Sequence, residues 1–208
     1  MALFWQHQEP GWRWGVWKME ETYEELCALL PHAVVMQAEQ SFSSLHRRQE
    51  WLSVRALLAQ CVGSGVQIGY LPSGKPYLND DSAFISISHT RGYVAVMLGE
   101  KPLGIDIEQY GARVHKVASR FMREDERAGT WQEDDTWGLL LHWSAKEAMF
   151  KCLGEQEVDF REHLRILPFE IKEKGEFLAH ECKTAACHGF RGYYWLHADF
   201  VLTAVTFL

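Results

Sequence analysis

Apolar residues along this chain change period several times, and the changes mark out its elements. Trp12, Trp14 and Val16 alternate, the period of a half-buried strand near the start. Residues 21–30 keep a helical spacing and stop at Pro31, which cannot continue a helix. A longer helix is expected from about 41 to 62, with Trp51, Val54, Leu58 and Cys61 as its apolar seam and Gly63 at its C-cap. Arg48 and Arg55, seven apart, share one face of that helix.

Turn and strand signals follow in quick succession: 72–75 and 79–81 as turns, then strands at 84–88, 93–98 and 103–108. Gly92 and Gly99 fall where hairpin turns would. From 113 to 152 the pattern is helical, broken near Gly129, with a last helix opening at Asp134 or Asp135 and closing at Gly154. Strands are expected near 164–171, 176–182 and 193–207, with a tight turn at 172–175. A helix followed by strands thus occurs twice, and the strand texts at 93–98 and 201–207 are alike. The fold class this implies is α+β, with a faint sign of internal duplication.

Bulk properties narrow the functions open to such a chain. Its 208 residues can build one substantial core or two small lobes, and 47% hydrophobic with 24% charged residues is the composition of a soluble globular protein. A net charge of −7 argues against a general affinity for nucleic acid. The opening residues lack the basic and apolar regions of a signal peptide, and no apolar run nears the ~20 residues of a membrane span. Five cysteines, at 27, 61, 152, 182 and 187, form no CxxC pair, so reduced thiols and a cytoplasmic location are expected. One local excess of positive charge stands out. Arg113, Lys116, Arg120 and Arg123 recur at three, four and three residues, opposite Val114, Val117 and Phe121. This reads as an amphipathic helix with a basic stripe, either a solvated face or a docking surface for an acidic partner.

Candidate chemistry lies in two segments. In Gly104-Ile-Asp-Ile-Glu108, alternation buries Ile105 and Ile107 and turns Asp106 and Glu108 to the other face. In the helix through 143–151, Trp143, Glu147 and Lys151 recur every four residues and share a face. Glu147 and Lys151 could form an ordinary surface ion pair. Together with Asp106 and Glu108, however, they give a hard-oxygen cluster suited to magnesium, with a lysine beside it for a phosphate. Lys75, between Gly74 and Pro76, reads by itself as an exposed lysine on a plain hairpin turn. Ser88-His89-Thr90 closes a strand with a hydroxyl and an imidazole that could meet phosphate oxygens.

The segments GIDIE and WSAKEAMFK, with SGKP at 73–76 and SISHT at 86–90 upstream, resemble the paired signature of the surfactin-synthetase type of 4′-phosphopantetheinyl transferase. The ordered blocks span roughly residues 47 to 151, and GxDxE followed by WxxKEAxxK is specific in combination. The resemblance implies two similar α+β lobes with the active site between them, an N-terminal lobe at 1–103 and a C-terminal lobe at 104–208. It implies a holo-[acyl-carrier-protein] synthase type of reaction. Coenzyme A is the co-substrate, its 4′-phosphopantetheine arm passes to a serine of an apo acyl or peptidyl carrier protein, and adenosine 3′,5′-bisphosphate leaves. Mg²⁺ would be held by Asp106, Glu108 and Glu147. Glu147 and Lys151 would carry the chemistry, with Glu147 taking the serine proton and Lys151 meeting a phosphate. Coenzyme contacts are expected from Arg48, Arg55, Gly74, Lys75, Pro76, Ser88, His89 and Lys151. The carrier would dock on Arg113, Lys116, Arg120 and Arg123, and the enzyme would work as a monomer without nucleic acid or membrane. Glu126, in Arg120-Phe-Met-Arg-Glu-Asp-Glu126, resembles a further family element that supports the site or caps a helix. The alternatives are a coenzyme A- or carrier-binding module without transferase activity and a metal-dependent phosphohydrolase, although the REx₂EE run of Nudix hydrolases is missing.

Overall fold

Strand β1 (Leu3–Glu9) turns back into β2 (Trp12–Lys18), the strand expected from the tryptophan alternation. This is a computed structural model describing residues 3–63 and 65–208. Helix α1 (Tyr23–Leu29) opens with a capping box, in which the Thr22 side chain accepts from Glu25 N–H and the Glu25 carboxylate accepts from Thr22 N–H. Pro31 ends it, as expected, and also caps a second helix, α2 (His32–Ser41), which the periodicity did not reveal. α3 (Leu45–Val62) runs from Ser44 to Gly63, whose φ of 87° provides the exit. Its buried face centres on Leu52, Leu57 and Leu58, while Trp51 and Cys61 of the expected seam are only half-buried.

A small hairpin, β3 (Ile68–Tyr70) with β4 (Pro76–Leu78), precedes β5 (Phe84–Thr90), β6 (Tyr93–Gly99) and β7 (Leu103–Gln109). Between residues 112 and 120 lie two short 3₁₀ turns, Ala112–Lys116 and Ala118–Arg120, in place of the expected amphipathic helix. Val114 and Val117 are three apart, the repeat of a 3₁₀ turn, and Val117 and Phe121 N–H close i→i+3 bonds to Val114 and Ala118 carbonyls. α4 (Thr136–Leu153) ends at left-handed Gly154 as expected. After α5 (Phe160–His163) come β8 (Leu164–Ile166), β9 (Lys174–Glu181), β10 (Gly189–His197) and β11 (Phe200–Phe207). The segment expected as one strand at 193–207 is therefore most of a hairpin turning after His197.

Besides the β3-β4 hairpin, the described residues form two larger antiparallel sheets, ordered β1-β2-β6-β5 and β7-β11-β10-β9-β8. β6 and β7 fall in different sheets, so Gly99 ends a strand rather than a hairpin. β6 and β11 each lie between two strands, which explains their similar unbroken apolar text. One core lies under α1 and α3, and includes Trp17, Leu57, Val94 and Val96. Another lies under α4, and includes Phe121, Met149, Phe190 and Val205. The third is where the sheets meet, with Trp14, Val16, Tyr93 and Met97 against Ile105, Ile107, Trp195 and Phe200. The layers are thus helix, sheet, sheet and helix. Gly104 lets β7 lie directly on α4, because a Cβ there would stand 1.9 Å from the Ala148 carbonyl oxygen. No helix among the described residues is long and apolar enough to cross a membrane.

Candidate active site

Asp106 and Glu108 leave β7 on the face opposite Ile105 and Ile107, as the alternation requires, and this face looks onto α4. Asp106 is 3% exposed. Its Oδ1 accepts from Lys151 Nζ at 2.7 Å and from Ser88 Oγ at 2.8 Å, while Lys151 also donates to the Ile105 carbonyl at 3.0 Å. Asp106 Oδ2 is buried and has no partner. Glu108 Oε1 accepts from Trp143 Nε1 at 2.7 Å. Glu147 sits one helical turn from both Trp143 and Lys151. The carboxylate paired with Lys151 is thus Asp106 from the strand, and the simple Glu147–Lys151 surface pair is not what forms.

Crowding three carboxylates here has an electrostatic cost. Glu108 is pushed up to about 7, first by burial and then by the charge of Asp106, with the Trp143 hydrogen bond pulling the other way. Glu147 is likewise pushed up to about 7 by burial and by Asp106, against the pull of Lys151. Among the described residues no three His, Cys, Asp or Glu side chains already stand as a formed metal-holding group. The donor set nonetheless fits a hard divalent cation. It is all carboxylate oxygen, one oxygen is buried without a partner, and burial and the Asp106 charge hold two acids back from ionising more than Lys151 can offset.

These shifts set a pH dependence. Both acids ionise near 4.5 when unfolded and about 7 when folded, so between these values the folded state holds more protons. Stability from this pair is complete below about 4.5 and lost as pH rises through about 7. In EDTA the melting temperature is expected to fall by several degrees between pH 5 and 8. Millimolar Mg²⁺ is expected to remove most of that fall, and a thermal-shift series with and without Mg²⁺ reads it directly. Equal curves in both buffers would mean the carboxylates hold no cation.

Beside this cluster, on the α3 face of β5, lies a cleft of about 420 Å³ walled by Arg47, Trp51, Arg55, Tyr70, Gly74 and His89 among others. At its mouth the nearly buried Glu50 gathers three basic side chains. Arg47 Nη1 donates to it at 2.9 Å, and ring nitrogens of His46 and His89 lie 3.2 and 3.4 Å from it. Burial lowers the pKa of His89, against the pull of Glu50. The Arg55 guanidinium stacks 3.0 Å over the Trp51 ring, and burial brings it down to about 10. Arg48 points elsewhere, donating from Nε to the Phe42 carbonyl at 2.7 Å and from Nη2 to Glu39 O. Arg47, rather than the expected Arg48, lines the cleft.

A second hollow, of about 200 Å³, brings Gly74, Lys75 and Pro76 to the C-terminal end of α4 with Lys151 and Gly154. Gly74 has φ 85° and makes the turn, and the Lys75 N–H is met by Ser73 Oγ. Ser88 is buried against Asp106, away from both His89 and the larger cleft. Within the basic run, Arg113, Lys116 and Arg120 are exposed, whereas Arg123 is committed to Asp125 and to the carbonyls of Arg161 and Glu162. Glu126 is a buried partner of Lys146, at 2.7 Å, behind the site rather than in it.

A sequence model of the 4′-phosphopantetheinyl transferase superfamily matches residues 102–205, half of the chain, including β7 and all of α4. A 4′-phosphopantetheinyl transferase of Bacillus subtilis is 30% identical over 110 residues, 49% of this chain and 49% of that protein. The protein named 4′-phosphopantetheinyl transferase gsp, from Aneurinibacillus migulanus, is 31% identical over 87 residues, 39% of this chain and 35% of that protein. The matched segments therefore span about half of the first relative's length and about a third of the second's. With the carboxylates of β7 and the Glu147–Lys151 face of α4 inside the matched region, this chain belongs to the 4′-phosphopantetheinyl transferase superfamily.

Proposed function

We propose that the protein transfers the 4′-phosphopantetheine arm of coenzyme A to a serine of an apo acyl or peptidyl carrier protein, in the manner of a holo-[acyl-carrier-protein] synthase. The observation that carries this reading is the junction of β5, β7 and α4. Two carboxyls there are pushed up to about 7 by burial and by Asp106, and Lys151 reaches the Asp106 carboxylate from the helix. Asp106, Glu108 and Glu147 would hold Mg²⁺, which when bound would neutralise and orient the pyrophosphate.

The residues' own tasks follow from where their atoms lie. Glu147, on the α4 face it shares with Lys151, is assigned the serine proton, directly or through a water. The serine oxygen bonds to the phosphorus next to the pantetheine arm, and the bond from that phosphorus to the bridging oxygen breaks. Adenosine 3′,5′-bisphosphate leaves with the bridging oxygen and its electron pair. Lys151, exposed enough to exchange one of its two acceptors for a phosphate oxygen, stabilises that charge. Lys75 on the facing turn supplies a second cation. For the nucleotide phosphates, Arg47 and His89 in the cleft suit the task better than Arg48, and Arg55 over Trp51 supports the cleft wall.

The two sheets, each with its own helices and core, support two lobes with the site between them, dividing close to 103/104 where β7 begins. Exposed Arg113, Lys116 and Arg120, just after β7, suit an acidic carrier, and Arg123 contributes through the loop it holds. The unpaired cysteines suit a cytoplasmic location, and the reading takes the working state to be a monomer. The test is release of adenosine 3′,5′-bisphosphate, followed by chromatography. It is expected only when coenzyme A, Mg²⁺ and an apo carrier are all present. Release without a carrier would instead identify a phosphohydrolase.

A further inference from the structure

β7 is an edge strand of its sheet, and β5 is an edge strand of the other. Buried edges must find partners for their backbone groups. Here the partners are side chains. The N–H groups of Ile105, Ile107 and Gln109 donate to the hydroxyls of Ser86, Ser88 and Thr90 at 3.0, 3.3 and 3.1 Å. A row of alternate hydroxyls on β5 therefore joins the two sheets where the carboxylates lie. Period two turns this row away from Ile87 and His89, which line the large cleft.

Only one member of the row does more than close the seam. Ser88 accepts from Ile107 N–H and gives its single proton to Asp106 Oδ1 at 2.8 Å. Lys151 meets the same oxygen at 2.7 Å. The carboxylate is thus gripped through Oδ1 from strand and helix, which fixes its plane and leaves buried Oδ2 without a partner. At 7% exposed, and with its hydroxyl proton already given, Ser88 has nothing to offer a coenzyme phosphate in the cleft.

Resting on the transferase reading above, we infer that Ser88 is a positioning residue for Asp106 rather than a coenzyme ligand. It aims Oδ2 at the bound cation. Groups that orient a metal ligand from behind typically change metal affinity 10–100-fold when removed.

The test compares Ser88→Ala with Ser86→Ala, which breaks a seam bond of the same kind but does not touch Asp106. Two bindings are read without turnover: Mg²⁺, from the concentration dependence of the thermal shift, and coenzyme A in EDTA, by calorimetry. Ser88→Ala is expected to weaken Mg²⁺ binding about tenfold or more and to leave coenzyme A affinity within about twofold. Ser86→Ala is expected to change neither. If Ser88→Ala does not fold, Ser88→Cys, with similar volume and a weaker donor, is read on the same two axes. Weakened coenzyme A with unchanged Mg²⁺ would make Ser88 a coenzyme contact and overturn the inference. Equal behaviour of the two alanine variants would reduce Ser88 to a seam residue and also overturn it. A wild-type protein that binds neither Mg²⁺ nor coenzyme A would instead defeat the transferase reading itself, and the inference with it.

Discussion

Glu147→Gln is expected to slow transfer of the phosphopantetheine arm by about 10²-fold or more, the usual contribution of a positioned base. The fold should survive. Gln has nearly the same shape, and among the described residues no hydrogen bond from Glu147 holds another element. Stability in EDTA at pH 8 is expected to rise, which is unusual for a substitution inside a protein. Burial and Asp106 push the Glu147 carboxyl up to about 7, so its ionisation above that pH works against the folded state. Removing the titrating group removes the loss, and the gain should vanish at pH 4.5, where the native carboxyl is already neutral. Single-turnover rates with melting curves at both pH values check the pair of effects. A variant that turns over normally, or one that loses stability at pH 8, would remove Glu147 from the account.

Lys146→Met is expected to cost about 3–5 kcal/mol of stability, the range for breaking a buried pair and stranding one charge. Lys146, the residue before the proposed base on α4, is fully buried, and so is Glu126, whose Oε2 it meets at 2.7 Å. The ammonium also donates to the Phe121 and Phe160 carbonyls at 2.7 and 3.1 Å, and Glu126 accepts from the Arg123 and Ile166 N–H groups. One lysine thus ties the irregular segments before and after α4 to its back face. Burial lowers its pKa even beside Glu126, as a group held in a dry site requires. Against a total stability of about 5–15 kcal/mol, such a loss leaves little folded protein. Adding Glu126→Gln should recover a good part of it by removing the stranded charge. Urea denaturation of the single and double variants measures both. A loss under about 1 kcal/mol from the single change would show that the pair is not holding these segments.

The chemistry was most legible where local spacing alone decides which way a side chain points. Alternation put Asp106 opposite Ile107, and four-residue steps put Trp143, Glu147 and Lys151 on one face; the structure has both arrangements. Spacing does not choose partners across the fold. It offered Glu147 as the natural mate of Lys151, but Asp106, forty-five residues earlier, is nearer. Nor can it separate adjacent arginines: a 100° step along α3 sends Arg47 to the cleft and Arg48 to the carbonyls of Glu39 and Phe42.

Other misses have equally local causes. α2 escaped notice because Val34, Val35 and Met36 run consecutively instead of at helical intervals. Steps of three and four at 113–123 suit an α-helix, but a chain leaving β7 under the constraint of buried Val114 and Phe121 takes 3₁₀ turns instead. Nothing near Lys146 in the sequence announces that Glu126, twenty residues earlier, is its buried partner.

The most direct test of the central claim is the intact mass of an apo acyl carrier protein after incubation with this protein, coenzyme A and Mg²⁺. The carrier is expected to gain the mass of one phosphopantetheine arm, with no gain in EDTA or with Glu147→Gln. No gain on fatty acid, polyketide or peptide carriers, from protein shown to be folded, would contradict it.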